Sequence, residues 1–345
     1  MFIKVIRKKT LLLIISSFLS LVLAISAPTA IYTASKQNEE EKKFIKWVDF
    51  GVSYEALASA MELDIATHTK DEQTPLDWVD MLAYLAAKYG GDFSHFKKSD
   101  LTRLTETLEK ENTTIDALGA SLKTYAYFKE AYGAVLNGFI GPYSIEKPDK
   151  DNPKEKTITQ TYGLKAFSPI AQGYSYSHFD DFGNSRSYGY KRKHLGHDLM
   201  GSVGTPIIAV ESGYVECVGW NQYGGWRIGI RSFDRKRYYY YAHLRKDHPY
   251  NDMYEGKIIT AGDVIGYLGM TGYSSKENVN NINTPHLHYG MQLIFDEETQ
   301  KDGTNQIWID MYAITKLLEK NRSAVYRDAK EYYRQYEMFE DATED

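Results

Sequence analysis

Short β-type runs separated by glycines constrain the fold of this 345-residue chain more than any other feature of its sequence. Apolar and aromatic runs alternate with glycine-containing breaks in the segments GTPIIAVESGYVECVGW, WRIGIRSF, RYYYYAHL and DVIGYLGMTGY, which lie between positions 204 and 273. Runs of this length and punctuation are typical of antiparallel sheets with many short strands. The sequence therefore predicts a mostly antiparallel β domain in its second half.

The first half of the chain has a helical pattern instead. In TPLDWVDMLAYLAAKYGG, Thr74 is a candidate N-cap with Pro75 at the first helical position, and Gly90–Gly91 end the segment. In SDLTRLTETLEKEN, Ser99 is the candidate cap, and leucines recur at helical spacing at positions 101, 104 and 108. Four or five such helices predict a small all-α domain over residues 37–141.

The segments that flank these regions complete the predicted organisation. Residues 142–160 are charged and contain several prolines, which indicates a linker or an extended arm. The stretch from Ile309 to about Phe339 reads as helical, so residues 319–345 are predicted to form a C-terminal helix and an acidic tail. The predicted fold class is α+β, a mostly antiparallel β domain preceded by a small helical domain.

The first 36 residues combine a basic start, MFIKVIRKK, with an uncharged run from Thr10 to Ser35. This pattern directs a segment into a membrane with its basic end on the cytoplasmic side, and about 20 apolar residues suffice to span a bilayer. Without a clear A-x-A cleavage pattern, a retained transmembrane anchor is favoured over a cleaved signal peptide. We expect a single-pass membrane protein with its remainder outside the cytoplasm, or a secreted protein if the segment is cleaved.

The net charge and the cysteine content argue against a nucleic-acid-binding protein and against a fold held together by internal disulfides. The net charge is −5, so no overall basic field attracts nucleic acid, and we expect no nucleic-acid partner. The single cysteine, Cys217, forms no internal disulfide and is expected to be a small buried apolar residue.

The histidines carry the chemistry. Six of the nine lie between positions 194 and 288, and five of these accompany one aspartate. His194 and Asp198 are four residues apart with Gly196 between them, and Gly196 allows a tight turn. A catalytic zinc takes three protein ligands and keeps one open position. The third ligand is either His286 or His288, which share one face of a strand.

The motifs HLGHDLMGSVGTPIIAVESGYV, YYYYAHL, GDVIGYLGMTGYS and TPHLHYGMQ occur in this order. With them the chain resembles the lysostaphin/LytM-type zinc metallopeptidases, peptidase family M23, over roughly residues 161–312. The resemblance implies a peptidase domain over 161–318 with a narrow groove floored by a sheet. It implies Zn²⁺ as cofactor with His194, Asp198 and His288 as ligands, and His243 and His286 as the two non-ligand catalytic histidines.

The resemblance also implies what these two histidines do. They handle the proton of the attacking water and steady the developing oxyanion, and which of them is the general base stays open. His197, between the first two ligands, is expected to be a non-ligand in the surroundings of the metal or on the surface. His178, Asp180 and Asp181 are candidates for the groove wall or for a plug over the metal.

Aromatic residues supply candidate substrate contacts, which are Tyr188, Tyr190, Trp220 and Tyr223. The alternative for each is plain packing in the sheet. In the run Tyr238–Tyr241 alternate rings must face the core, because successive strand residues point to opposite faces.

The helical domain contains only scattered carboxylates, Glu55, Asp64 and Glu72, which we expect to be solvated. It is predicted to serve as a spacer, a docking site for a protein partner or an autoinhibitory unit. The function implied by the resemblance is zinc-dependent endopeptidase cleavage of cross-links or stem peptides in bacterial peptidoglycan. The alternatives are a non-catalytic envelope scaffold or regulator with the same fold, and a protease that acts on proteins or peptides.

Overall fold

The computed structural model describes residue 45 and residues 48–70, 74–149, 151–152, 154–188, 190–296 and 306–340. The predicted anchor, residues 1–36, lies outside this range. In the part of the chain that is described, no helix combines the length and the apolar character needed to cross a bilayer. Ile45–Asp345 group as one compact unit.

The helical region matches the prediction of four or five helices. The helices of the described chain are α1 Tyr54–His68, α2 Trp78–Tyr89, α3 Lys98–Glu111, α4 Ile115–Gly119, α5 Tyr125–Leu136 and, much later, α6 Tyr312–Leu318. A single 3₁₀ turn, Phe93–His95, precedes α3. The leucine stripe of α3 is buried as expected, and α2 ends at Gly90 in the left-handed conformation.

Two predicted helix starts were wrong. Helix α2 begins at Trp78 rather than at Pro75, because Oδ1 of Asp77 accepts hydrogen bonds from the backbone N–H groups of Val79 (2.7 Å) and Asp80 (3.1 Å). Ser99 lies inside α3, whose N-cap is Lys97. There the Asp100 carboxylate accepts a hydrogen bond from the Lys97 backbone N–H at 3.0 Å. A serine side chain at the cap position would leave this N–H group without a partner.

The second half is antiparallel β structure, as predicted. Its main sheet has eight strands in the order β11-β8-β9-β10-β13-β6-β3, with β14 added to β13. These strands are β3 Tyr176–Phe179, β6 His197–Gly201, β8 Gly213–Asn221, β9 Gly225–Ser232, β10 Arg237–Ala242, β11 Ile258–Ile259, β13 His286–Leu293 and β14 Ile307–Ile309. Two small pairs flank it, β4 Ser185–Tyr188 with β5 Tyr190–Lys193, and β7 Pro206–Ile208 with β12 Val264–Tyr267.

Two flanking segments differ from their predicted conformation. Most of the expected linker 142–160 lies in a hairpin, β1 Ile140–Pro148 with β2 Lys156–Leu164. Residues 319–340 form no helix; they contain a hairpin, β15 Val325–Asp328 with β16 Glu331–Arg334, and a strand β17 Met338–Phe339 that pairs with β1. Valine and tyrosine side chains favour strands here, and Ala329 adopts φ 52° at the turn, which no helix continues through.

The helical region and the sheet share one hydrophobic core, which contains Leu57 and Leu82 together with Ile207 and Leu287. A buried cation also joins them. Arg237 of β10, 2% exposed, pairs with Glu211 through two hydrogen bonds of 2.8 and 2.9 Å. Its Nη1 donates to the carbonyl of Ala134 in the last turn of α5 at 2.8 Å, which satisfies a helix-end acceptor. The division into domains at 37–141 and 161–318 stays a prediction.

The expectation of a solvated Asp64 was wrong. This side chain is 1% exposed and accepts hydrogen bonds from the Trp78 backbone N–H (2.8 Å) and from the hydroxyl of Tyr162 (2.9 Å). It therefore ties the start of α2 to strand β2. Glu55 is exposed, as expected, and Glu72 lies outside the described residues.

Candidate metal centre and cleft

Two neighbouring strands bring the three predicted metal ligands together. Asp198 of β6 and His288 of β13 are register partners, and His194 lies just before β6. The His194 Nε2 atom lies 3.1 Å from Asp198 Oδ1 and 2.9 Å from His288 Nδ1, and the latter lies 3.0 Å from Asp198 Oδ1. Three ligand atoms therefore converge on one point of the sheet face.

This triangle fits a zinc ion. Ligands held at about 2.0–2.2 Å around a tetrahedral ion stand about 3.3–3.5 Å apart, so only small outward shifts of these side chains are needed. Burial alone would raise the pKa of Asp198, but its contacts with His194 and His288 outweigh burial and hold that pKa well below the ordinary value. The carboxylate is therefore ionised, as a metal ligand must be.

Asp181 supports the first ligand. Its Oδ1 lies 2.7 Å from Nδ1 of His194, an ion-pair contact without the alignment of a full hydrogen bond. This contact favours the tautomer with the proton on Nδ1, which leaves Nε2 free to bind a metal. Arg186 of β4 bridges Asp181 (2.6 Å) and Asp198 (2.9 Å). The candidate wall or plug residue Asp181 thus lies directly behind a predicted ligand.

Gly196 is required for space rather than for a tight turn. The sequence analysis expected a glycine here because it allows a tight turn, but the φ angle of Gly196 is not positive. A Cβ at this position would lie 2.5 Å from Cε1 and 2.6 Å from Nε2 of His288. Any side chain here would therefore push the third ligand out of the triangle.

His243 and His286 lie beside the triangle. Nδ1 of His243 donates to the Thr271 carbonyl at 2.9 Å, and Nδ1 of His286 donates to the Thr284 carbonyl at 2.8 Å. Because a carbonyl only accepts, each neutral ring carries its proton on Nδ1 and presents an unprotonated Nε2. Nε2 of His286 lies 3.8 Å from Asp198 Oδ2.

Burial, with the neighbouring His286 and His288, lowers the pKa of His243 well below the ordinary value. Its imidazole is therefore neutral at neutral pH and able to accept a proton.

His197 points to the opposite face of the sheet. It is 1% exposed, so a surface position is wrong, and it takes no part in the triangle. Its Nε2 lies 2.7 Å from Nδ1 of His178, whose Nε2 donates to Glu319 at 2.7 Å. His178, a candidate wall or plug residue, therefore lies behind the sheet with His197. Asp180 is exposed and is not among the residues that line the cleft.

The triangle opens into a cleft of about 410 Å³. The residues that line it are Arg186, Arg192, Lys193, His194, Leu195, Asp198, Tyr223, Gly224, Tyr238, Tyr240, His243, Tyr273, His286, His288, Gln292, Gln306 and Trp308. The tyrosine run alternates as predicted, since Tyr239 and Tyr241 are fully buried beneath the sheet.

The four predicted substrate contacts have different placements. Tyr223 lines the cleft, whereas Trp220 lies outside it with its ring packed edge-on against Trp226 at 5.6 Å. The backbones of Tyr188 and Tyr190 pair with each other in the β4–β5 hairpin, and their side chains are outside what the structure describes.

Sequence reasoning missed the two arginines of the cleft and Tyr273, Gln292, Gln306 and Trp308. A weak signal existed for the arginines, because SRSYGYKRKH places four cations, at positions 186, 191, 192 and 193, shortly before His194. The other four come from loops and strands that only the folded chain brings to the cleft.

Comparison with known proteins agrees with this geometry. A model described as peptidase family M23 matches residues 192–302. An L-Ala–D-Glu endopeptidase from Bacillus subtilis is 40% identical over 123 residues, which cover 36% of this chain and 36% of the relative. Lysostaphin from Staphylococcus simulans is 36% identical over 111 residues, 32% of this chain and 20% of the relative. The matches thus span about a third or less of these relatives.

A solved LytM-like structure from Ruminococcus gnavus has a TM-score of 0.54 and covers 81% of this chain and 92% of its own. At 22% identity it shows the fold alone, and that fold is LytM-like. Together with the family match, these observations show that this chain contains a peptidase family M23 domain.

Proposed function

We propose that this protein is a zinc-dependent endopeptidase that hydrolyses peptide bonds of bacterial peptidoglycan outside the cytoplasmic membrane. One observation carries the proposal. The triangle of His194, Asp198 and His288 stands in an open cleft beside two further imidazoles, those of His243 and His286, each of which is held through Nδ1 by a backbone carbonyl. A structural metal site is closed by a fourth protein ligand and does not require histidines beside it that can transfer protons.

His194, Asp198 and His288 would hold the ion. When bound there, zinc polarises the scissile carbonyl and makes water a better nucleophile at neutral pH. The residues around it have complementary tasks. Asp181 and Arg186 hold His194 and Asp198 in place, and Gly196 leaves room for the His288 ring.

His243 and His286 move the proton. In hydrolysis the water oxygen bonds to the carbonyl carbon, the C–N bond breaks, and a water proton ends on the departing amine. An unprotonated Nε2 at the cleft accepts that proton and can return it to the amine nitrogen. The fixed Nδ1–H···O=C bonds keep both Nε2 atoms aimed into the cleft, and a histidine whose Nε2 has taken up a proton can donate it to the developing oxyanion. We assign the two tasks to this pair jointly.

The substrate class is inferred from the relatives and from the predicted export. The relatives have the names L-Ala–D-Glu endopeptidase, lysostaphin and peptidoglycan DD-endopeptidase. A basic and apolar start, residues 1–36, is consistent with a protein held at the outer face of the membrane, where the cell wall lies. The helical region serves in this proposal as a support for the peptidase sheet and as a surface for a protein partner.

A non-catalytic scaffold or regulator is the second candidate. Nothing in the described cleft favours it, since all three ligands and both non-ligand histidines are in place.

The test uses the full-length protein loaded with zinc, incubated with purified peptidoglycan with and without a chelator. Mass spectrometry identifies each new amine end. We expect new amine ends that disappear with the chelator and return with added zinc. Bound zinc without any turnover of peptidoglycan would overturn the proposal and favour the scaffold, whereas turnover of unrelated proteins alone would assign the enzyme to a different substrate.

A further inference from the structure

Arg192 of β5 is held in the cleft between two aromatic rings. Its guanidinium carbon lies 5.1 Å from the ring centroid of Tyr223 and 5.1 Å from that of Tyr273. Its Nη2 donates to the Tyr273 hydroxyl at 2.8 Å. Two rings and one hydrogen bond fix the plane of the guanidinium, so the donors on its other side keep a constant direction.

One of those donors lacks an acceptor. Nη1 of Arg192 is buried, and no hydrogen-bond partner for it exists among the described residues. A buried donor without a partner is costly, and a charged one more so. Asp198, the one acidic residue that lines the cleft, already contacts Arg186, His194 and His288. A molecule that enters the cleft could therefore supply the missing acceptor.

A carboxylate suits this donor best. The guanidinium fork matches the two oxygens of a carboxylate, and such charge-assisted pairs are roughly twice as strong as neutral hydrogen bonds. Arg186 and Lys193 are the other cations that line the cleft; Lys193 is exposed, and Arg186 is already paired with Asp181 and Asp198. Nε of Arg186 is also buried without a hydrogen-bond partner, but Asp181 and Asp198 balance the charge of that guanidinium, whereas Arg192 forms no ion pair among the described residues.

The position of Arg192 relates this anion to the reacting bond. The Tyr273 ring that contacts Arg192 also lies 5.8 Å from the His243 ring. An anion on Arg192 would therefore lie one aromatic ring away from a histidine that we assign to proton transfer. A carboxylate on the residue next to the scissile bond fits this placement.

We infer that Arg192 recognises a free carboxylate on the residue that contributes the amine of the scissile bond, so that this enzyme cleaves before an acidic residue such as D-Glu. Glutamate has two carboxyl groups, and a peptide continues through only one of them, so the other stays available as an anion. A Gly–Gly bond offers no such group. The inference rests on the proposed function and specifies its substrate.

The test compares two peptides that differ in one group. Each contains an L-Ala–D-Glu bond, and in the second peptide the free carboxylate is a carboxamide, which has nearly the same shape without the charge. We expect wild-type kcat/KM to favour the carboxylate peptide by about tenfold or more. In Arg192→Met this ratio should fall to about one, and Arg192→Lys should be intermediate because lysine lacks the planar fork. Arg103→Met, which removes an exposed arginine of the helical region, should keep the wild-type ratio.

A binding measurement separates this inference from the proposed function. Calorimetric titration with the product peptide that begins with D-Glu, and with its carboxamide, needs no turnover. Preferential binding of the carboxylate that is lost in Arg192→Met supports the inference even if peptidoglycan is not cleaved. Equal binding of both peptides by the wild type, a loss of equal size for both peptides in Arg192→Met, or cleavage confined to Gly–Gly bonds would each overturn it.

Discussion

The rings of His243 and His286 stand 4.8 Å apart, centroid to centroid, and each is anchored by Nδ1 to a backbone carbonyl of the connection between β12 and β13. Neither ring belongs to the ligand triangle, although His286 precedes the ligand His288 by only two positions on the same strand. In the proposed function, one strand face would supply both a metal ligand and a group that handles protons.

This division predicts different losses for the two strand histidines. His288→Ala should lose both zinc and activity, because it removes one of three ligands. His286→Ala should keep its zinc and lose about 10²–10⁴-fold in kcat, the usual contribution of general acid–base catalysis. Metal content by atomic absorption, measured beside turnover, checks this. Equal zinc loss in both variants would contradict the assignment.

Asp181 should act through His194. Asp181→Asn removes the charge opposite Nδ1 of His194, and we expect zinc affinity to fall about 10–100-fold, as is usual when the partner of a ligand is lost. Competition with a zinc-binding dye measures the affinity. The neighbouring exposed carboxylate provides the control, and Asp180→Asn should bind zinc like the wild type. Identical zinc affinities for the two variants would show that Asp181 does not support the metal site.

Gly196→Ala should expel the third ligand while the fold persists. The added methyl group collides with the His288 ring, so we predict loss of zinc with a near-native circular dichroism spectrum. Gly163→Ala is the matched control, because its nearest new neighbour lies 4.0 Å away. Normal zinc binding by Gly196→Ala would show that His288 can move aside at no cost.

Arg237→Met should destabilise the whole unit, because it leaves Glu211 buried without its partner. Loss of one member of a buried ion pair costs about 3–5 kcal/mol of unfolding free energy. The double variant Arg237→Met/Glu211→Gln should be more stable than the single one, since no uncompensated charge remains. Urea unfolding measures all three proteins, with the exposed Arg327→Met expected within about 0.5 kcal/mol of the wild type. Additive losses would argue against a coupled pair.

His197 should make the metal-free protein sensitive to acid. Burial, helped by His178, lowers the pKa of His197 to about 3 from an ordinary 6.5. Between these values the unfolded chain binds a proton that the folded chain does not, so the free energy of unfolding falls as pH drops, by up to about 1.4 kcal/mol per pH unit. His197→Gln should show a shallower fall between pH 7 and pH 5 in urea titrations. Parallel curves for the two proteins would refute this.

The site was more predictable from sequence than its surroundings were. The residue types and spacing predict His194 and Asp198 as metal ligands and leave His286 or His288 as the third, and the resemblance to family M23 selects His288. Alternation along a strand correctly separates Tyr239 and Tyr241 from their neighbours at the cleft. Such local rules depend on residues close in sequence, so they need no knowledge of the whole fold.

The features that could not be predicted from the sequence depend on contacts between segments that are far apart along the chain. Asp64 is buried where the Trp78 backbone N–H and the hydroxyl of Tyr162, far along the chain, both donate to it. The role of Asp181 follows from its distance to His194, and that of Gly196 from the position of the His288 ring. The C-terminal segment satisfies a helical pattern but pairs with β1, which supplies partners that no local signal reveals.

The link between Arg237 and Ala134 has a consequence for any attempt to transplant this catalytic unit. The family match, residues 192–302, contains Arg237 and Glu211 but not α5, whose Ala134 carbonyl accepts a hydrogen bond from Arg237. A graft of the matched segment onto another scaffold would carry every metal ligand, yet it would also carry a buried cation with one donor left unpaired. We expect such a graft to keep its metal binding and activity only when it also includes helix α5.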